Sequence, residues 1–198
     1  MKKRAFLGAA ALAGATPLLA GAAPVARAAP ATGSGPALLT ITGAITKPNR
    51  GAFDPALDQM MHKQKVSFTQ ACALDFAALT RLPAQHIKPT LEYDGKAHAL
   101  QGPLLTDVVA LAGATLGANS KLVLRAVDGY AVTIGVAQAK TQRFIVATHL
   151  DGAPMPLGGL GPLWAVIDAD RVAELAAKPL AERFGSCPWA LYHIEVQA

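Results

Sequence analysis

KLVLRAVDGY, residues 121–130, sets the character of the fold. Lys121 to Ala126 has the branched and apolar composition of a strand, and Asp128-Gly129 follows as a pair that tolerates the backbone of a tight hairpin turn. The same reading extends outward. Leu39-Thr40-Ile41-Thr42 alternates as a half-buried strand does, with Gly43 and then Pro48-Asn49-Arg50-Gly51 signalling a turn. Lys65 to Thr69, His86 to Tyr93, Arg143 to Leu150, Leu163 to Ile167 and Ala190 to Val196 are further expected strands, and Asp94-Gly95 a second expected hairpin turn.

Helices are fewer and short. Asp75 caps one expected over Asp75 to Leu82, closed by Pro83; Leu104 to Ala112 forms another, ended by Gly113; a third covers Asp170 to Ala177 and stops before Pro179. The pattern predicts a mixed, sheet-rich α+β single domain. Between two strong strands, Asp151 to Pro162 (DGAPMPLGGLGP) carries three prolines and four glycines, a segment expected to stay out of any ladder and to bind or cover something. Its Gly-Gly pair lacks the G-x-G-x-x-G spacing of a nucleotide fingerprint.

The N-terminus has the three-part build of a cleavable signal: Lys2, Lys3 and Arg4, then an apolar run from Phe6 to Ala23, then Ala26-Arg27-Ala28 as a small-x-small cleavage site. Residues 1–28 are therefore expected to be a signal peptide, 29–37 a flexible leader and 38–198 the folded domain. A retained membrane anchor is the rival reading, against which Gly8, Gly14, Gly21, Pro17 and Pro24 make the run weakly apolar and poorly helical. Lys3-Arg4-Ala5-Phe6-Leu7 resembles the core of a twin-arginine signal with its first Arg replaced by Lys. With the signal removed, the mature chain is expected in the periplasm.

Four of the 18 basic residues lie in the signal, which leaves 14 against 13 acidic residues and a net charge of +1 for the mature chain. The high pI thus gives no support for nucleic-acid binding. No later stretch is long and apolar enough to span a bilayer. Cys72 and Cys187 are either a disulfide closing a long loop or two separate buried thiols.

Leu39-Thr40-Ile41-Thr42-Gly43, Leu82-Pro83, Gly102-Pro103-Leu104-Leu105-x-Asp107-Val108-Val109, Asp128-Gly129-Tyr130, Gly161-Pro162-Leu163-Trp164 and Ile194-Glu195-Val196, in that order, resemble the core of the sulfite-oxidase-type molybdopterin-binding domain. The resemblance spans about Leu38 to Val196. Catalytic members hold molybdenum through a cysteine in a strand ending Thr-Leu-Gln-Cys. Here the comparable stretch is Thr90-Leu91-Glu92-Tyr93, so Tyr93 stands at the cysteine position and a molybdenum centre is doubtful. An arginine-containing stretch of those members is shortened to Asp94-Gly95-Lys96, and neither Cys72 nor Cys187 replaces the ligand by its place in the sequence. The chain is more similar to small exported members that lack the cysteine and carry Gly-Pro-Leu-Trp. That resemblance implies a pterin or molybdopterin ligand, and for the receptor-like members an inner-membrane signalling partner controlling cyclic-di-GMP.

A pterin presents an amino group and a ring N–H along one edge, which a carboxylate can accept while an aromatic side chain covers the ring face. Trp164 is the first stacking candidate, with a core Trp supporting the sheet as its alternative. Tyr130 offers a second ring or a hydroxyl, or else packs on its hairpin. Asp128 is the candidate carboxylate, although an Asp-Gly turn calls for Asp on local grounds alone; Glu92 is in reserve. Tyr93 fills the vacated ligand position, Arg125 offers a donor or a solvated charge, and His149 is the histidine placed nearest the pocket. The five histidines show no zinc-ligand spacing, and Met60-Met61-His62 reads as a turn or helix with packing methionines before it reads as a copper site. Three functions stay open: a pterin receptor without turnover, a molybdopterin-dependent oxidoreductase that keeps its cofactor without a thiolate, and a structural partner of another exported protein.

Overall fold

The computed structural model describes residues 35–198; the expected signal peptide, its cleavage site and most of the leader lie outside them. The chain order is β1 (Ala37–Gly43), α1 (Gln59–Lys63), β2 (Cys72–Asp75), α2 (Phe76–Thr80), β3 (Ala84–Ile87), β4 (Leu100–Pro103), α3 (Leu105–Leu111), β5 (Lys121–Ala126), β6 (Ala131–Gly135), α4 (Val136–Thr141), β7 (Ile145–Ala147), β8 (His149–Leu150), β9 (Ala153–Pro154), β10 (Trp164–Val166), α5 (Ala173–Ala176) and β11 (Leu191–Gln197). The strands form a five-stranded sheet in the order β2-β1-β11-β5-β6, a four-stranded sheet β3-β4-β8-β9 and the pair β7-β10. This is the mixed α+β fold that the sequence predicts.

The large sheet is built around the two ends of the chain. β1 runs parallel to β11, with Ile41 opposite Ile194, and β5 pairs antiparallel on the other side of β11. Because side chains alternate across a strand, Leu39, Ile41, Leu122, Leu124, Ile194 and Val196 all enter the main core. The opposite face carries a polar network. Arg125 donates to His193 Nδ1 (3.4 Å) and Glu195 (3.1 Å), and His193 Nε2 lies 2.9 Å from Thr42 Oγ1. His193 is fully buried, and burial, with the Arg125 charge adding to it, pulls its imidazole down to about 4.

Turn chemistry explains several element ends. Asp75 caps α2 by accepting from Ala78 N at 2.7 Å, as expected. Between β5 and β6, Gly129 N donates to Ala126 O and Gly129 sits at φ +96°, the form of a three-residue hairpin loop ending on a left-handed glycine. Asp94-Gly95 differs: its turn is closed by one bridge, Thr90 to Ala97, and not by two full strands.

Other expectations change. Lys65 to Thr69 is not a strand: Lys65 takes φ +57°, and the segment folds over so that Phe53 N meets Phe68 O and Val66 N meets Met61 O. Met61, Val66 and Tyr192 form a small second core there. The strand expected over His86 to Tyr93 ends at Ile87, ahead of Pro89, and the Lys88 and Thr90 amides turn instead to the carboxylates of Asp168 and Asp170. Arg143 to Leu150 is divided, since residues 145–147 pair with β10 and 149–150 with β4 and β9. The segment from Asp151 does join a ladder: Asp151 (φ +48°) and Gly152 (φ +83°) make a two-residue hairpin turn, so that Ala153 and Pro154 pair with β8. Asp170 to Ala177 is a short 3-10 turn followed by α5.

Two glycines allow close approach. A Cβ on Gly102 would lie 2.0 Å from the Val146 carbonyl oxygen, where β4 presses on β7, and one on Gly161 would lie 2.4 Å from Met155 Cβ. Cys72 and Cys187 are free, buried thiols, so the disulfide alternative gives way to the separate one. Among the described residues, no helix is long and apolar enough to cross a membrane.

Candidate functional site

Three segments that are distant in sequence meet at one cleft. The 90–97 turn brings Glu92 and Tyr93, the β5–β6 hairpin brings Asp128 and Tyr130, and the approach to β11 brings Phe184, Cys187 and Trp189. The cavity they enclose is about 270 Å³. It adjoins a second of about 480 Å³, walled by Leu157 to Leu160 of the Pro-Gly segment and sharing Tyr93 and Trp189 with the first. Together they fall in the usual range of small-molecule sites, roughly 300–1,000 Å³.

The cleft is aromatic and acidic. Tyr93 is 55% exposed, Tyr130 47% and Leu157 72%, so three of the large apolar side chains most open to solvent border this one hollow. Trp189 is half-buried beside them. Tyr130 donates its hydroxyl to the Gly185 carbonyl, which fixes the ring across the gap between its hairpin and the 184–189 segment. Burial pushes the Tyr93 phenol up to about 12, reinforced by the charge of the neighbouring Glu92 and a hydrogen bond to it, so Tyr93 is a neutral donor near pH 7. Asp128 Oδ1 accepts from Tyr130 N at 2.9 Å, the local turn bond that its Asp-Gly context calls for. Among the described residues its Oδ2 makes no hydrogen bond and remains open to a donor in the cleft.

Of the residues singled out from sequence, Tyr93, Tyr130, Asp128 and the reserve Glu92 come together here. Trp164 does not reach the cleft. It is fully buried, its ring 5.9 Å from Phe184, and its indole N–H donates to Cys187 O at 2.8 Å. It is the core Trp of the two alternatives, and it braces the cleft floor from beneath. Arg125 belongs to the polar face of the sheet with His193 and Glu195. His149 sits in β8, bonded to Thr148 Oγ1 at 2.8 Å and packed on Phe76 with ring centres 5.6 Å apart, also away from the cleft.

Phe184, Trp189 and Cys187 line the cleft without being singled out by the sequence. Trp189 lies between Pro188 and the last strand, in a stretch without periodicity; an aromatic next to a proline at a strand mouth was the available signal. Cys187 was set aside by its place in the sequence, yet it lines the cleft together with Tyr93 and Glu92. Burial pushes its thiol up to about 12, so it is a protonated, apolar wall and not a thiolate. Among the described residues no group of three or more His, Cys, Asp or Glu side chains is placed to hold a metal ion. Compared with known proteins, the chain matches no protein-family model and no curated protein.

Proposed function

We propose that this protein is an exported, periplasmic pterin-binding protein of the sulfite-oxidase-type fold, a receptor that binds without turnover and reports to an inner-membrane signalling partner. One observation carries the reading: two carboxylates, Glu92 and Asp128, and four aromatic side chains, Tyr93, Tyr130, Phe184 and Trp189, line one small cleft. A pterin needs both groups, an acceptor for its amino and ring N–H edge and rings for its faces. Asp128 Oδ2 is the acceptor with an open position, and Trp189 takes the stacking role first given to Trp164. Tyr93, whose hydroxyl proton is engaged by Glu92, offers its ring face and its hydroxyl oxygen as an acceptor.

The donor set suits such a heterocycle better than a soft metal. Molybdenum bound in the manner of the catalytic members takes a soft cysteine thiolate, and the sequence position that corresponds by resemblance carries Tyr93, whose phenol is a hard oxygen donor. The presence of Cys187 beside Tyr93 is the observation that favours the second reading, an oxidoreductase on molybdopterin. Mass spectrometry of the small molecule that co-purifies from the periplasm, with elemental analysis of the same sample, separates the two. A metal-free pterin fits the receptor; stoichiometric molybdenum overturns it.

A further inference from the structure

Resting on the reading of the cleft as a ligand site, we propose that His98 is a pH-operated latch that ties the two walls of the cleft together. His98 lies between two turns. Its Nδ1 is 2.6 Å from Asp151 Oδ2 and its Nε2 is 3.0 Å from Asp94 Oδ2. Asp94 directly follows Tyr93 in the first wall, and Asp151 opens the segment that carries Leu157 to Leu160 in the second. The latch is anchored at both ends: Asp94 Oδ1 accepts from Lys96 N at 3.0 Å, and Asp151 Oδ1 from Ala99 N at 2.9 Å. Asp151 N in turn donates to Ala99 O at 2.7 Å.

A neutral imidazole has one N–H and one lone pair, so it can serve only one of two carboxylates and repels the other. Only the imidazolium donates to both. The charged groups facing the site agree: Asp94 and Asp151 contact the ring directly, while Lys96 stands near Asp94 and Lys88 near Asp151. The hydrogen bonds to Asp151 and Asp94 hold the His98 proton above its ordinary range, and His98 lowers both carboxyls. The sign follows. A raised histidine contributes fully below its unfolded value and loses its contribution as pH rises through the folded one, whereas the lowered carboxyls lose theirs only as pH falls through their own depressed values. The latch is therefore closed in mildly acidic medium and opens on the alkaline side. Its solvent-exposed setting makes it sensitive to salt.

Hydrogen exchange of the Asp151 and Met155 amides, corrected for intrinsic rate and followed from pH 5 to 9 on the mature protein, tests the latch without any ligand. Wild type should lose about tenfold protection as His98 titrates by NMR, whereas His98→Asn should exchange fast with no step. In Asp94→Asn the neutral imidazole can donate to Asp151 and accept from the introduced amide, so protection should persist to pH 9 without a step. Protection equal in wild type and His98→Asn, or the wild-type step retained in Asp94→Asn, overturns the proposal, and should His98→Asn not fold, the Asp94→Asn result decides. In parallel, affinity for 6,7-dimethyltetrahydropterin should change across the same step in wild type and not in His98→Asn. No pterin binding at any pH with the exchange step intact would sink the ligand reading and leave the latch.

Discussion

Trp164→Phe separates the two roles that the sequence left open for this side chain. The indole is fully buried and donates to Cys187 O at 2.8 Å. Phenylalanine keeps an aromatic ring but leaves that carbonyl unsatisfied, which costs about 1–3 kcal/mol. The smaller ring also vacates space in a closely packed core, adding on the order of 1 kcal/mol. A total loss of about 2–4 kcal/mol is expected, a fall in the urea midpoint of about 1–2 M for a slope near 2 kcal/mol/M. Equilibrium urea unfolding by far-UV circular dichroism reads this, and the same sample titrated with the reduced pterin reads the ligand. The core role predicts a large loss of stability, with affinity falling only through loosening of the Cys187 wall. A variant as stable as wild type that has lost binding would refute it and restore Trp164 to the ligand.

Further outcomes follow from the same packing. His193 refuses a proton until about pH 4, while the unfolded chain takes one near its ordinary value of 6.5. The unfolded state thus binds more protons between these values, and stability should fall by about 3 kcal/mol as pH drops through that window. His193→Gln should flatten this slope in urea titrations at pH 7, 5.5 and 4, and an unchanged slope would count against a buried neutral imidazole. Gly102→Ala forces a Cβ to within 2.0 Å of the Val146 backbone oxygen and should cost about 3 kcal/mol in the same assay; a neutral effect would mean that β4 and β7 are not in contact. Thiol titration should find no reactive thiol in the native protein and two after unfolding without reductant. A count of zero after unfolding would mean a bridge.

The strands with clean alternation or a strong apolar run, β1, β5 and β11, were legible, as were the caps at Asp75 and Gly113, because their signals are local. Lys65 to Thr69 failed because a strand-like composition was spent on tertiary packing against Met61 and Tyr192. His86 to Tyr93 stopped short where Pro89 intervenes and where carboxylates distant in sequence, Asp168 and Asp170, take up the Lys88 and Thr90 amides. The third Asp-Gly pair, Asp151-Gly152, was in plain view but hidden inside a Pro-Gly stretch. For the cleft, Asp128 and Tyr130 are reached through their Asp-Gly turn, and Tyr93 through the resemblance that sets it at the cysteine position. Trp189 and Cys187 are not, since nothing local in Cys187-Pro188-Trp189 says which way it faces; only the pairing of β11 with β5 brings it to the hairpin. Trp164 was misplaced for the converse reason, because a Trp at a strand mouth has the same local signature whether it points into a pocket or into a core.

The proposed occupant of the cleft between Tyr93, Asp128 and Trp189 is a pterin. Isothermal calorimetry of the mature protein with 6,7-dimethyltetrahydropterin under anaerobic conditions tests it most directly, run beside Trp189→Ala and Asp128→Ala. One-to-one binding is expected for the wild type, weakened about tenfold or more in each variant, with far-UV circular dichroism showing both variants folded under the conditions of the titration. Absence of heat in the wild type, or binding that both variants retain undiminished, would contradict it.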